Sequence, residues 1–240
     1  RLVMSPQEIA YVRAAAEIAD AGMEAIRAEL RPGLTEIQVQ GIAHYAMSQL
    51  DGEEPAIRTV VRSGPRAGAR HALPSERVIQ PHEIVDVDFS ASYKRYHVNI
   101  DRTFATGDVD DRWHDLLRRA AGSIERVVEA VRPGDPMRKV AEVGSAYIKE
   151  VGLSHIVRWV DGYTLGVSVP PDWVGHIFLG GGRFEESTFE PGMVTNYEDT
   201  FDVVHEEWPG GRGAAYIDTL LMTEHGLEVL SNVERTLIVV

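Results

Sequence analysis

The sequence predicts a mixed α/β domain of the α+β kind, made of two halves in which a pair of helices precedes an antiparallel hairpin. Three observations predict it. Amphipathic helical runs stop at Arg-Pro-Gly, period-two segments follow that are joined too tightly for anything but a hairpin, and the same order returns 101 residues later. The first helix opens at Ser5, with Pro6 at its first position and Glu8 placed to close a capping box. Ile9, Val12, Ala16, Ala19, Met23 and Ile26 form its apolar face, and Pro32-Gly33 stops it. The second helix starts at Thr35, with Gln38 as box partner, and carries Ile42, Ala46, Met47 and Leu50. β-Branched residues between Ile57 and Ser63 predict a strand, followed by a loop containing Gly64 and Gly68. Ile84–Ser90 and Tyr93–Phe104 predict the hairpin.

In the second half a helix from about Asp110 to Val131 ends at Arg132-Pro133-Gly134, and another helix follows, with Val140 in the register of Val39. Met193–Tyr197, Ala215–Met222 and Thr236–Val240 predict strands. A repeat this long is a duplicated half-domain, because a solenoid unit runs at roughly 20–50 residues in three or more copies. Two unrelated helices each ended by Pro-Gly is the plainer alternative. The expectation is one domain over residues 1–240, with halves of about 1–107 and 108–240 closing about a pseudo-twofold axis around a central cleft, the default place for a site.

Composition narrows the function. The 240 residues include 24 Lys and Arg, 37 Asp and Glu and no Cys, giving a formal charge of −13. Thiolate zinc sites, Fe–S clusters, disulfides and cysteine nucleophiles are thereby excluded. The acidic balance argues against nucleic acid, and no apolar run approaches the roughly 18 residues of a membrane span. The expected location is the cytoplasm.

Strand parity selects the chemistry. In Asp86-Val87-Asp88-Phe89 both carboxylates share one face, and across the hairpin Asn99 and Asp101 do the same. Polar groups so collected are costly unless they meet water or a ligand, and an exposed sheet face satisfies the pattern equally well. His71, in the loop before the hairpin, is a candidate proton carrier, since imidazole titrates near neutrality; the alternative is a loop histidine bonded to solvent or backbone. His176 is a candidate contact for a substrate carboxylate. Tyr163 and Trp173 could stack on a flat cation or simply pack in the core. Gly180-Gly181-Gly182 lacks a following Lys-Ser/Thr and is not a phosphate loop.

Several ordered motifs resemble the pita-bread superfamily of methionine aminopeptidase, Xaa-Pro aminopeptidase, prolidase and creatinase. They are Ser63-Gly64-Pro65, His71, Arg77, Val85–Phe89 and Tyr96–Phe104 in the first half. In the second they are Glu190-Pro191-Gly192-Met193-Val194 leading to Glu198, and Asp218-Thr219 leading to Thr223-Glu224-His225-Gly226. The resemblance runs from Ser5 to Val240 and implies the pita-bread fold. The superfamily's peptidases hold two metals with two aspartates, one histidine and two glutamates. Here Asp88 and Glu198 match, while Asn99, Tyr163 and Ile217 replace the second aspartate, the histidine and the last glutamate. That implies no dinuclear centre and no cofactor, with room only for weak divalent-metal binding at Asp88 and Glu198.

His71, Asp101 and Glu198 are similar to creatinase, the metal-free branch, although its acid is a glutamate where Asp101 stands and its histidine near the last ligand position is Ile217 here. Gly162-Tyr163-Thr164-Leu165-Gly166 followed by Pro170-Pro171-Asp172-Trp173 is similar to ectoine hydrolase. The leading expectation is therefore a metal-independent hydrolase of a non-peptide C–N bond in a guanidino or amidine substrate. In it His71 shuttles the proton, Asp101 and Glu198 bind the cationic group and orient water, and Asp88, Asn99, Tyr163 and His176 complete the contacts to a small cationic or zwitterionic substrate. An Xaa-Pro aminopeptidase or prolidase-like metallopeptidase is the first alternative, and an inactive pita-bread binding module is the second. Resemblance to creatinase and prolidase further implies a homodimer and an N-terminal domain that this chain, beginning at Arg1, does not include.

Overall fold

In a computed structural model of the chain, the structure describes residues 2–171, 175, 177–178, 187–203 and 207–240. Helix α1 (Pro6–Glu29) has the full capping box: the Glu8 amide donates to Ser5 Oγ, and the Ser5 amide donates to the Glu8 carboxylate. Helix α2 (Glu36–Ser48) repeats the device with Thr35 and Gln38. Such caps satisfy amide donors that the first turn leaves unpaired, typically for about 1 kcal/mol each. The stops after α1 and after α3 (Asp111–Ala130) both use a glycine with positive φ, 93° at Gly33 and 88° at Gly134. Helix α4 (Lys139–Glu150) follows the second stop.

The strands are β1 (Val60–Ser63), β2 (Ile84–Tyr93), β3 (Tyr96–Ala105), β4 (Val157–Asp161), β5 (Val194–Asp202), β6 (Gly213–Thr223), β7 (Gly226–Val229) and β8 (Ile238–Val239). Six of them run β1-β2-β3-β6-β5-β4 in one sheet, with β7 added to β6 and β8 lying parallel to β3. Helices α1 and α2 pack with Val85, Val87 and Phe89 on one half of the sheet. Helix α3 packs over the other half, with Trp113, Leu116 and Leu117 among Phe201, Ala214 and Tyr216. A Cβ on Gly22 would sit 2.9 Å from the Phe89 ring, so the bare backbone is what lets α1 approach β2.

The halves meet where β3 pairs with β6, at Asp101 opposite Ile217. One continuous rung therefore crosses the sheet: Val60, Asp88, Asp101, Ile217, Glu198 and Asp161, each directly opposite the next. Directly opposed residues share a face.

The hairpin and the helices lie close to their expected places. β1 starts three residues after Ile57, and β5 runs on to Asp202. β4 and β7 were not expected. β4, Val157-Arg-Trp-Val-Asp, is an edge strand with exposed Arg158 and Trp159 and a register shift, so it lacks clean alternation. The C-terminal strand is only Ile238–Val239.

Candidate functional site

Parity on β2 turns Asp86 and Asp88 to the face away from α1, and β3 answers with Thr103 and Asp101 opposite them. Arg62 of β1 stands opposite Asp86 and is almost wholly buried; its guanidinium pairs closely with Asp86 and lies 3.5 Å from Asp101 Oδ2. The loop after β1 makes a 3-10 turn, Gly64–Arg66, and then brings in Arg70 and His71. Arg70 Nη2 donates to the Phe201 and Ala214 carbonyls at 2.9 and 3.0 Å, tying this first-half loop to β5 and β6. His71 holds a left-handed backbone, φ 60°, at the rim.

These groups line a cleft of about 960 Å³ that His71, Asp88, Asp101, Tyr163 and Glu198 share with Arg58, Arg62, Arg70, Arg158 and Trp159. Asn99 lies behind the lining: its Nδ2 donates to Asp88 Oδ1 at 2.9 Å and to the Phe89 carbonyl at 3.2 Å. Asn196 Nδ2 donates to Glu198 Oε1 at 2.6 Å and reaches Asn99 Oδ1 at 3.4 Å. The Tyr163 hydroxyl also bonds Glu198. His176 and Trp173 lie outside the described residues.

Burial dominates the acid–base character. It raises Asp88 above the usual carboxylate range. Burial and the neighbouring Asp88 raise Asp101 to about 8 and Glu198 to about 7. The Tyr163 phenol is pushed well up, first by burial and then by Glu198. Arg70 falls to about 10 through burial and the nearby Arg62.

Sequence reasoning missed Arg62, Arg70 and Asn196. Asn196 was within reach, since the two-residue period that joined Asp86 to Asp88 also joins Asn196 to Glu198. Arg62 gave no signal beyond one charge in a short apolar strand.

An open sheet with its helix-free face lined by carboxylates defines a pita-bread domain, and solved structures agree. The chain superposes on an Xaa-Pro dipeptidase from Bacillus anthracis with TM-score 0.87 and 28% identity, covering 100% of this chain and 64% of that one. An X-Pro aminopeptidase from Thermotoga maritima, at 23% identity, shares the fold with TM-score 0.87 over 100% of this chain and 64% of its own. Residues 10–224 match metallopeptidase family M24, and the chain belongs to that family. An Xaa-Pro dipeptidase from Pyrococcus furiosus is 27% identical over 238 residues, 99% of this chain. The chain spans 65% of that relative's length.

These findings correct the sequence reading. The family stands, but the creatinase and ectoine hydrolase affinity, and with it the amidine-opening C–N hydrolase, is overturned by relatives that are Xaa-Pro dipeptidases. The few residues that carried it, His71, Asp101 and Glu198 for creatinase and the motifs at 162–166 and 170–173 for ectoine hydrolase, weigh less than similarity sustained over 238 positions. The expectation of no cofactor is likewise overturned at the level of the family, which is one of metallopeptidases.

The residues present nevertheless do not fit a two-metal centre. Asp88 and Glu198 keep oxygen donors, yet Asn99 already donates to one oxygen of Asp88 and Asn196 to one oxygen of Glu198, and the buried Tyr163 phenol is held protonated. Ile217 offers only alkyl surface between Asp101 and Glu198. Among the described residues no group of three or more His, Asp or Glu is placed to hold an ion. No described helix is long and apolar enough to cross a membrane.

Proposed function

We propose that the cleft takes short peptides and hydrolyses the bond before proline, as the names of its relatives state for them. The observation that carries this reading is the 27% identity to an Xaa-Pro dipeptidase over 99% of the chain. The charge pattern supports it: a dipeptide is a zwitterion, and the cleft sets Asp88, Asp101 and Glu198 on its floor against exposed Arg58 and Arg158 at its mouth. In this reading the carboxylates hold the amino end and the arginines attract the carboxylate; water adds to the carbonyl carbon as the C–N bond breaks, and His71 at the rim passes the water's proton to the departing nitrogen. Asn99 and Asn196 fix the carboxylate orientations, and Tyr163 shields Glu198 from water.

Ile217, Asn99 and Tyr163 at ligand positions favour a second reading, in which the cleft binds a peptide without turning it over. The test supplies Gly-Pro and Ala-Pro to the chelated and the Mn²⁺- or Co²⁺-loaded protein, measuring proline release together with calorimetric binding. Release supports the hydrolase. Binding without release under every condition supports the second reading, and neither binding nor release overturns both. The duplication into halves 1–107 and 108–240 and the homodimer belong to the same proposal; sedimentation velocity checks the latter.

A further inference from the structure

Among the described residues, Asp101 is the carboxylate of the cleft whose oxygen is buried without a hydrogen bond. Asp88 accepts from Asn99, and Glu198 accepts from Asn196 and Tyr163. Asp86 is engaged by Arg62 and lies 3.8 Å from Arg70. Asp101 is different. It is 1% exposed, lines the cleft, has Oδ2 3.5 Å from a guanidinium already engaged with Asp86, and leaves Oδ1 buried with no hydrogen bond. It also stands directly opposite Asp88, and like groups so opposed in neighbouring strands are about 4.5–5.5 Å apart at Cβ and unfavourable. Ionising a carboxyl group buried in this position is costly until a cationic donor reaches it.

We infer that Asp101 seats the ammonium group of the ligand, with Asp88 as its second wall. The inference rests on the peptide reading for the identity of the ligand, whose free amino end would be the group seated. An ammonium carries three donors, one for the open Oδ1 and others for Asp88. The surroundings select an organic ammonium over a bare ion. Ile217 follows Asp101 on the rung, Val60 follows Asp88, and Ile57 lines the same cleft. Alkyl walls stabilise the carbon skeleton of an amine, whereas a hard cation needs oxygen ligands on all sides. The seat makes Asp101 a specificity-determining residue: it selects for a free amine over the acylated one.

Calorimetry with Ala-Pro, N-acetyl-Ala-Pro and n-butylamine, on the whole protein and on Asp101→Asn, tests this. The expected result is that acetylation weakens binding to the unaltered protein by about tenfold or more, and that Asp101→Asn narrows the difference to within about twofold. The acetylation arm needs no variant, so it decides even if Asp101→Asn folds poorly. Equal binding of the two peptides to the unaltered protein overturns the seat and leaves the peptide reading standing. A difference that persists in Asp101→Asn also overturns it. Butylamine binding lost in Asp101→Asn, without any dipeptide binding, supports the seat and overturns the peptide reading. Absence of binding by all three overturns both.

Discussion

Glu36 decides whether the loop that carries Arg70 and His71 stays in place. It sits at the first position of α2, where a carboxylate also complements the helix N-terminus, and it is completely buried. Its Oε1 accepts from the Ser63 amide at 2.9 Å and the Ser63 hydroxyl at 2.8 Å. Its Oε2 accepts from the Ser75 amide at 3.0 Å and the Ser75 hydroxyl at 2.8 Å, and pairs closely with Arg66. Both ends of the segment 63–75 therefore hang on one side chain. Glu36→Ala leaves buried Ser63 donors unpaired, at about 1–3 kcal/mol each, while half-buried Arg66 recovers water and offsets part of its loss. A net cost of about 3–4 kcal/mol follows, and a chain of this length loses roughly 2–4 °C of Tm per kcal/mol. The midpoint should fall by roughly 10 °C. Hydrogen exchange should rise in residues 64–77 well before it rises in α1, because the clamp is local. A midpoint within about 2 °C of the unaltered protein, or exchange rising equally in α1 and the loop, would refute the clamp.

Three other outcomes are expected. Arg102→Met removes a fully buried guanidinium that donates to Asp218 at 2.8 Å and to the Ile217 and Val233 carbonyls, so urea denaturation should show a loss of about 3–5 kcal/mol. Burial lowers the pKa of His44, whose Nε2 lies 2.7 Å from Thr59 Oγ1. A depressed histidine binds its proton more weakly folded than unfolded, so its contribution is present above about pH 6.5 and is lost as pH falls below that value. Melting of the unaltered protein should therefore fall relative to His44→Gln between about pH 7 and pH 5. Ile217→Glu adds a carboxylate between Asp101 and Glu198; it should lower Tm in chelator and be raised by about 1 mM Mn²⁺ more than the unaltered protein is.

What the sequence disclosed was local. The boxes of Ser5 with Glu8 and of Thr35 with Gln38 involve residues three apart, and the shared face of Asp86 and Asp88 needs only strand parity. What it concealed depends on segments far apart in the chain. Arg70 becomes part of the site because β5 and β6 offer it the Phe201 and Ala214 carbonyls, and β4 is a strand because β5 pairs with it. The family branch was concealed for another reason: substitutions at Asn99, Tyr163 and Ile217 state which donors are missing, not which substrate remains.

The rung gives those substitutions a spatial meaning. Ile217 does not merely remove a donor; it lies between Asp101 and Glu198 and divides the carboxylates of the cleft into an opposed pair, Asp88 with Asp101, and a single Glu198 enclosed by Asn196 and Tyr163. Strands lie about 4.8 Å apart, so Asp101 and Glu198, two strands removed, are separated by roughly twice that distance. The opposed pair is thereby set apart as the seat for an ammonium, while Glu198, held by Asn196 and Tyr163, stands beside it at the same end of the ligand.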